Sequence, residues 1–260
     1  MTKIMNATLS LLVAALLSFG GALTAPVPAA ADDNGKGAAG HAHDLSDVWA
    51  IARGGQIYDN WMAVLEADKP KNTHPAYPKA GKKKGASTWR CKECHGWDYM
   101  GKDGAYAKGS HYTGIKGVRA MVGMDVNKIH RIIMDKTHGF TNQQMPHSAM
   151  EKLALFLSKG QVDNDRYIDR ASKVSRGNIK RGAAIYQTVC AICHGFDGKE
   201  INFKDPPKVE YVGTVCKKNP WEGLHKIRFG QPGVGMVALT ALGIDTSVDI
   251  LAYCQTLPVK

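Results

Sequence analysis

The pentapeptides CKECH, at residues 91–95, and CAICH, at residues 190–194, decide how this chain folds. C-x-x-C-H is the attachment pattern of a c-type haem: two cysteine thiols bond to the porphyrin, and the adjacent histidine supplies a ring nitrogen to the iron. A redox dithiol or half of a zinc site also uses C-x-x-C, but neither explains a histidine directly after the second cysteine in both copies. The sequence therefore predicts two covalent haems c, held by Cys91, Cys94, His95, Cys190, Cys193 and His194.

The two motifs lie in a repeated frame. RGGQIY at residues 53–58 parallels RGAAIY at residues 181–186, and a tyrosine follows each haem histidine by 17 residues. Such self-similarity indicates a duplicated domain. We therefore expect a first repeat at residues 48–160, a polar linker at 161–177 and a second repeat at 178–260.

The hydrophobic periodicity predicts an all-α fold, and strand-like alternation is nearly absent. The predicted helices span residues 48–66, 125–135, 148–159, 178–189, 220–228 and 246–257. With so few residues in each repeat, the polypeptide core is small, and we expect each domain to wrap around its haem as the main apolar nucleus.

A basic insert distinguishes the first repeat. Tyr58 lies 33 residues before Cys91, whereas Tyr186 lies four residues before Cys190. The insert, at about residues 60–90, is rich in Lys and Pro, a composition typical of a solvated loop outside the core. It is either a surface excursion without a partner or a cationic docking surface for an acidic redox partner.

The amino terminus has the pattern of a secretory signal peptide at residues 1–31. Lys3 precedes an apolar stretch from Leu9 to Leu23, and the small-residue site at residues 29–31 ends it. A retained membrane anchor is the alternative, but the apolar core is short for a spanning helix. We expect cleavage, a polar arm at residues 32–47 and no permanent membrane span afterwards.

The net charge of the chain limits the classes of partner that it can bind. The chain has 34 Lys and Arg residues against 23 Asp and Glu residues, a formal net charge of +11. In an exported haem protein this excess predicts acidic redox partner proteins or anionic surfaces, and not nucleic acid.

An iron that transfers electrons needs a ligand on both faces, and methionine is a common distal ligand. Met145, 50 residues after His95, and Met236, 42 residues after His194, both precede the last helix of their repeat. These matching positions predict them as the distal ligands. The first repeat also holds rivals: Met100, Met121, Met124, Met134, Met150, His111, His138 and His147. For the matched pair His130 and His225 we expect a structural or propionate-facing role.

These motifs resemble those of tandem class I c-type cytochromes, in the manner of the dihaem cytochromes c4. The resemblance covers residues 50–160 and 178–260. It implies that the first and last helices of each repeat cross at a glycine–aromatic contact. In the first repeat, Gly54 or Gly55 with Tyr58 would meet the helix of Phe156. In the second repeat, Gly182 with Tyr186 would meet the helix of Tyr253.

The chain also departs from that family. A family proline behind the proximal histidine matches Pro206 or Pro207, but no proline lies between His95 and Met145. Val237 replaces the proline that often follows the ligand methionine. The long basic insert is atypical as well.

Two cysteines remain, Cys216 and Cys254. In an exported protein we expect them to form a disulfide, with free buried thiols as the alternative. A third possibility is a cysteine as a distal iron ligand, which would lower the potential of that haem.

The resemblance implies an exported, periplasmic dihaem electron carrier, because bacteria attach c-type haem outside the cytoplasm. Two alternatives stay open. One is a dihaem enzyme of the peroxidase or thiosulfate-oxidising type, which requires an open position on one iron. The other is a cytochrome subunit of a larger oxidoreductase.

Overall fold

Nine α-helices and no β-strand form the regular structure of residues 43–79 and 81–260, the part of the chain that the computed structural model describes. The prediction of a helical fold is therefore confirmed. The predicted signal peptide, residues 1–31, and most of the predicted arm, residues 32–47, lie outside the described residues. Among the helices of the described part, none has both the length and the apolar character that crossing a membrane requires.

The helices are α1 His43–Val64, α2 Cys91–His95, α3 Val126–Ile133, α4 His147–Leu155, α5 Ile179–Ile185, α6 Ala191–His194, α7 Val212–Lys218, α8 Pro220–Phe229 and α9 Ile244–Cys254. Six of them coincide with predicted helices, with ends that differ by a few residues. The predicted segments 148–159 and 178–189 each end in a π-helical turn, at Phe156–Gly160 and Tyr186–Cys190. Helices α2 and α6 are too short to show an apolar period, and periodicity revealed neither them nor α7.

Local capping sets several helix ends. The Asp125 carboxylate accepts a hydrogen bond from the Lys128 amide at 2.9 Å and starts α3, and Asn178 caps α5 in the same way. Side-chain oxygens at this position satisfy amides that have no partner within the helix. Gly96 and Gly195, with φ of +80° and +75°, end α2 and α6 directly after the two haem-motif histidines.

The first and last helices of each repeat cross where a glycine leaves no room for a side chain. A Cβ on Gly54 would lie 2.1 Å from the carbonyl oxygen of Lys152 in α4. A Cβ on Gly182 would lie 1.9 Å from the carbonyl oxygen of Asp249 in α9. Both repeats therefore bring two backbones into direct contact at equivalent positions, as the resemblance implies.

Aromatic rings flank both crossings. The ring centroids of Tyr58 and Phe156 lie 5.4 Å apart, and those of Tyr186 and Tyr253 lie 5.3 Å apart. Aromatic pairs at this separation add stability beyond the area that they bury. The four aromatic residues expected at the crossings are thus in place.

Two clusters of buried side chains make up the core of the described residues. The first core gathers side chains from α1, α3, α4 and the segments on either side of α4, among them Tyr58, Trp61, Met145, Met150 and Phe156. The second core gathers side chains from α8, α9 and the π-helical turn after α5, among them Tyr186, Trp221, Leu224, Ile250 and Leu251.

Each repeat contributes a large side chain to the core of the other repeat. Phe229, from α8 of the second repeat, is fully buried in the first core, and a Cβ on Gly55 would lie 2.5 Å from its ring. Trp97, from the first repeat, belongs to the second core. The repeats therefore contact each other through large buried side chains and not through a solvated linker alone.

Candidate haem sites

The first haem motif occupies the five residues of α2. Residues three and four apart lie on one face of a helix, so Cys94 and His95 share the face of Cys91. The side chain of Cys91 contacts the first core. Two thiols and one imidazole on one face of a helix are the side chains that haem attachment requires.

A backbone carbonyl orients the histidine of this motif. His95 Nδ1 donates a hydrogen bond to the Lys116 carbonyl at 2.7 Å, because a carbonyl oxygen can only accept. This bond leaves Nε2 free for a metal. Burial lowers the pKa of His95 to about 4, and the imidazole therefore stays neutral, the form that binds metal. Lys116 thus supplies a carbonyl behind the histidine in a segment where the family proline is missing.

The second motif lacks such a partner. His194 Nδ1 is buried and, within the part of the chain that the structure describes, has no hydrogen-bond partner. Pro206 and Pro207, which the resemblance places behind this histidine, are both exposed. Burial also lowers the pKa of His194, so this imidazole is neutral as well.

The same tyrosine bond ties each motif to the first helix of its repeat. The Tyr58 hydroxyl donates to the Gly96 carbonyl at 2.7 Å, and the Tyr186 hydroxyl donates to the Gly195 carbonyl at 3.2 Å. Each carbonyl belongs to the residue after a haem-motif histidine. The two repeats therefore position their motifs by equivalent hydrogen bonds as well as by equivalent sequences.

Met145 lies in the first core and is fully buried. Its amide donates to the Thr141 carbonyl at 2.9 Å, which fixes the loop ahead of α4. Cys91 contacts the same core. The structure thus brings the predicted distal ligand of the first repeat and a cysteine that is predicted to bind haem into one apolar cluster.

Several rival ligands have other partners. His111 bonds to Glu93 at 2.8 Å, and His147 bonds to Glu151 at 3.1 Å. The ring centroid of His138 lies 6.3 Å from that of His95. Met150 is as deeply buried as Met145.

Met236 is half-buried in the segment between α8 and α9 and is absent from the second core as the structure describes it. The segment folds back towards the first repeat, where a Cβ on Gly233 would lie 3.3 Å from that of Ala63. The structure therefore does not bring Met236 into the core that surrounds the second motif.

Residues 177–253 match a family model described as cytochrome C oxidase, cbb3-type, subunit III. The match supports a c-type cytochrome domain. Such a domain implies haem c as the cofactor and electron transfer with redox partners as the role. The comparisons with curated proteins and with solved structures found no match for the chain.

The two extra cysteines of the cytochrome domain are neighbours but are not bonded. Cys216 in α7 and Cys254 in α9 are both buried free thiols. A hydrogen bond with Cys216, together with burial, raises the pKa of Cys254 well above its usual value. The structure therefore shows a dithiol where the sequence predicted a disulfide.

Contacts of several side chains hold the basic insert against the rest of the protein. His74 Nε2 donates to the His138 carbonyl at 2.9 Å, its ring lies 4.4 Å from that of Trp89, and Tyr77 and Thr88 are buried. Its lysines stay largely in solvent, with Lys69, Lys71, Lys79, Lys82 and Lys84 exposed. The insert is thus a charged surface fixed to the loop of His138, and part of it is buried.

A buried ion-pair network joins the cytochrome domain to the first repeat. The Asp59 carboxylate, with no exposed side-chain surface, pairs with Arg90 and with Lys226 of α8. Burial opposes its ionisation, but Lys226 and Arg90 outweigh this effect and hold the pKa of Asp59 below its usual value. The sequence analysis missed Asp59, although an acid so close to the apolar residues Tyr58 and Trp61 was its visible signal.

His225 has the structural role that the sequence allowed. Its Nε2 donates to the Gly55 carbonyl at 2.9 Å, and its Nδ1 accepts a hydrogen bond from the Tyr99 hydroxyl at 2.8 Å. Burial lowers its pKa to about 4, so the ring is neutral and both nitrogens are satisfied by the first repeat. Its counterpart His130 differs, because His130 Nε2 is buried without a partner among the described residues.

Proposed function

We propose that the protein is an exported dihaem c-type cytochrome, with two tandem class I domains, that carries single electrons between redox partners. The observation that carries the proposal is the matched construction of the two repeats. Each has a C-x-x-C-H helix ended by glycine, a tyrosine bonded to that glycine, and a glycine crossing between first and last helices. The family match covers the second of these repeats.

In this proposal the chain holds both cofactors and tunes them. Cys91 and Cys94 attach the first haem and His95 ligates its iron, while Met145 fills the distal position. Cys190, Cys193, His194 and Met236 take the same roles in the second repeat. When bound, haem supplies the ferric–ferrous couple. The buried side chains of the first core, which Cys91 contacts, exclude water and keep the local dielectric low, whereas Ile192 and Phe196 at the second motif are exposed.

The proposal also includes export to the periplasm of a bacterium. Support comes from the signal-peptide pattern of residues 1–31 and from the need to attach c-type haem outside the cytoplasm. The partners are redox proteins with acidic surfaces, which the exposed lysines of the insert would attract by charge.

Counting the haems tests the proposal. The purified protein should carry two covalent haems by intact mass and by haem absorbance per polypeptide. The double variant Cys190→Ala/Cys193→Ala should retain one, and so should Cys91→Ala/Cys94→Ala, because thioether bonds cannot form without the thiols. A single haem in the unmodified protein, or the same loss from only one of the two variants, would refute the dihaem assignment.

Replacing Met145 with leucine should remove the methionine-to-iron charge-transfer band of the first haem and allow carbon monoxide to bind there. Leucine has a similar volume and no sulfur, so the core should tolerate it. Met150→Leu is the matched control, since Met150 is equally buried, and its spectrum should not change. If Met145→Leu keeps the band while His138→Leu alters the spectrum, His138 is the ligand instead.

The match to an oxidase subunit model favours one alternative, a cytochrome subunit of a larger oxidoreductase. Two measurements separate it from a free carrier. A carrier purifies alone and exchanges electrons with partners at rates that fall steeply with salt. A subunit co-purifies with its complex at high salt.

A further inference from the structure

A cleft of about 450 Å³ lies between the two repeats, where the linker meets α1, α8 and the start of α9. Four cationic side chains and one carboxylate line it: Arg119, Lys159, Arg166 and Arg228, together with Asp163. None of these residues belongs to a haem motif or to the predicted iron ligands. The cleft is therefore a positively charged site separate from the proposed electron-transfer centres.

The cations of this cleft are poorly neutralised. Arg119 Nη1 is buried with no hydrogen-bond partner in the part of the chain that the structure describes. Arg228 donates through Nη1 to the Leu242 carbonyl at 2.8 Å, and burial lowers its pKa. Lys159 pairs with Asp47 at 3.3 Å, outside the cleft lining. The lining thus carries four cations against one carboxylate, and an anion bound there would offset the repulsion between like charges.

The cleft is also lined by a residue whose side-chain oxygen, a hydrogen-bond acceptor, has no partner among the described residues. Gln161, which also lines it, donates through Nε2 to the carbonyls of Leu157 at 2.6 Å and Val118 at 2.9 Å. Two carbonyl partners fix the orientation of the amide, so Oε1 is the oxygen, and it is buried without a donor among the described residues. An anion that also carries a hydroxyl has a group for each of these atoms: a charged oxygen for Arg119 and a donor for Gln161.

We propose that this cleft binds hydrogenphosphate. Its charged oxygens would accept bonds from Arg119 and Arg166, and its hydroxyl would donate to Gln161 Oε1. Sulfate has the same shape but no hydroxyl near pH 7. Because residues of both repeats line the cleft, the bound anion would also stabilise their arrangement by mass action. The inference stands independently of the proposed electron-transfer function.

Calorimetric titration of the haem-loaded protein with inorganic phosphate at pH 7 tests the proposal. We expect saturable binding at one site, tighter for phosphate than for sulfate, with a rise in melting temperature. Arg119→Gln/Arg166→Gln should weaken phosphate binding at least tenfold. The control Lys82→Gln/Lys84→Gln removes the same charge from the insert and should leave the affinity within about twofold.

Three results would overturn the site. The first is the absence of saturable binding, and the second is an equal loss in both double variants, which would show non-specific attraction to positive charge. The third is equal affinity for sulfate and phosphate, which would remove the role of Gln161. Melting curves without phosphate show whether the variants fold. Should the double variant unfold, Arg166→Gln alone, at an exposed position, must still weaken binding measurably.

Discussion

Replacing Gly182 with alanine should lower the free energy of unfolding by about 3 kcal/mol or more, at the upper end of the cost of overpacking a core. The new Cβ would lie 1.9 Å from the carbonyl oxygen of Asp249 and 2.4 Å from its carbon. These are backbone atoms, and no rotamer change relieves the clash. Helices α5 and α9 would have to separate, which would loosen the second core. Guanidinium denaturation followed by circular dichroism measures the change.

Gly235→Ala is the matched control, because no atom lies within 4 Å of a Cβ at that position. Its free energy of unfolding should stay within about 0.5 kcal/mol of the unmodified protein. Gly54→Ala should resemble Gly182→Ala, since its Cβ would lie 2.1 Å from the Lys152 carbonyl oxygen. Unchanged stability in Gly182→Ala would show that the two helices cross elsewhere.

The sequence predicted what depends on local pattern. Apolar periodicity located six of the helices, because burial of one face follows directly from the spacing of residues. The sequence analysis did not predict α2 and α6 as helices, because helices of five and four residues show no period of their own. The repeat and the resemblance together predicted the contacts of Gly54 and Gly182, because the same pair of helices occurs twice.

The sequence did not predict the contacts between segments that are far apart along the chain. The Lys116 carbonyl orients His95, but a backbone group has no residue signature. His225 and Asp59 join the repeats through partners far apart in sequence, which only the packing of α8 against α1 determines. The neighbouring thiols Cys216 and Cys254 could be counted in the sequence, but their bonding state could not.

The second large effect is expected at Asp59, the carboxylate between Arg90 and Lys226. Asp59→Ala should cost about 3–5 kcal/mol of unfolding free energy, because removing one member of a buried ion pair leaves the other charges uncompensated. The Lys226 side chain is 15% exposed and cannot regain full hydration where it lies. Equilibrium denaturation at pH 7 measures this loss of unfolding free energy. Asp103→Ala, which breaks an exposed pair with Lys102, should cost less than about 1 kcal/mol.

A second substitution distinguishes the loss of the ion pair from the cost of leaving the Lys226 ammonium buried without a partner. Asp59→Ala/Lys226→Met removes the buried ammonium and should recover part of the loss, because apolar replacements of buried ion pairs are often tolerated. If the double variant is no more stable than Asp59→Ala, the stranded Lys226 does not cause the loss. The remaining cost would then come from Arg90 or from the cavity at residue 59.

The pH dependence of stability gives an independent test of the same pair. The pKa of Asp59 is lower in the folded protein than in the unfolded chain. Its contribution to stability is therefore complete above the unfolded pKa, about 3.9, and is lost as the pH falls through the lower folded value. The gap in unfolding free energy between the unmodified protein and Asp59→Ala should be constant from pH 7 to 5 and should narrow below pH 4. A gap that does not narrow in acid would mean that Asp59 stabilises the fold without its charge.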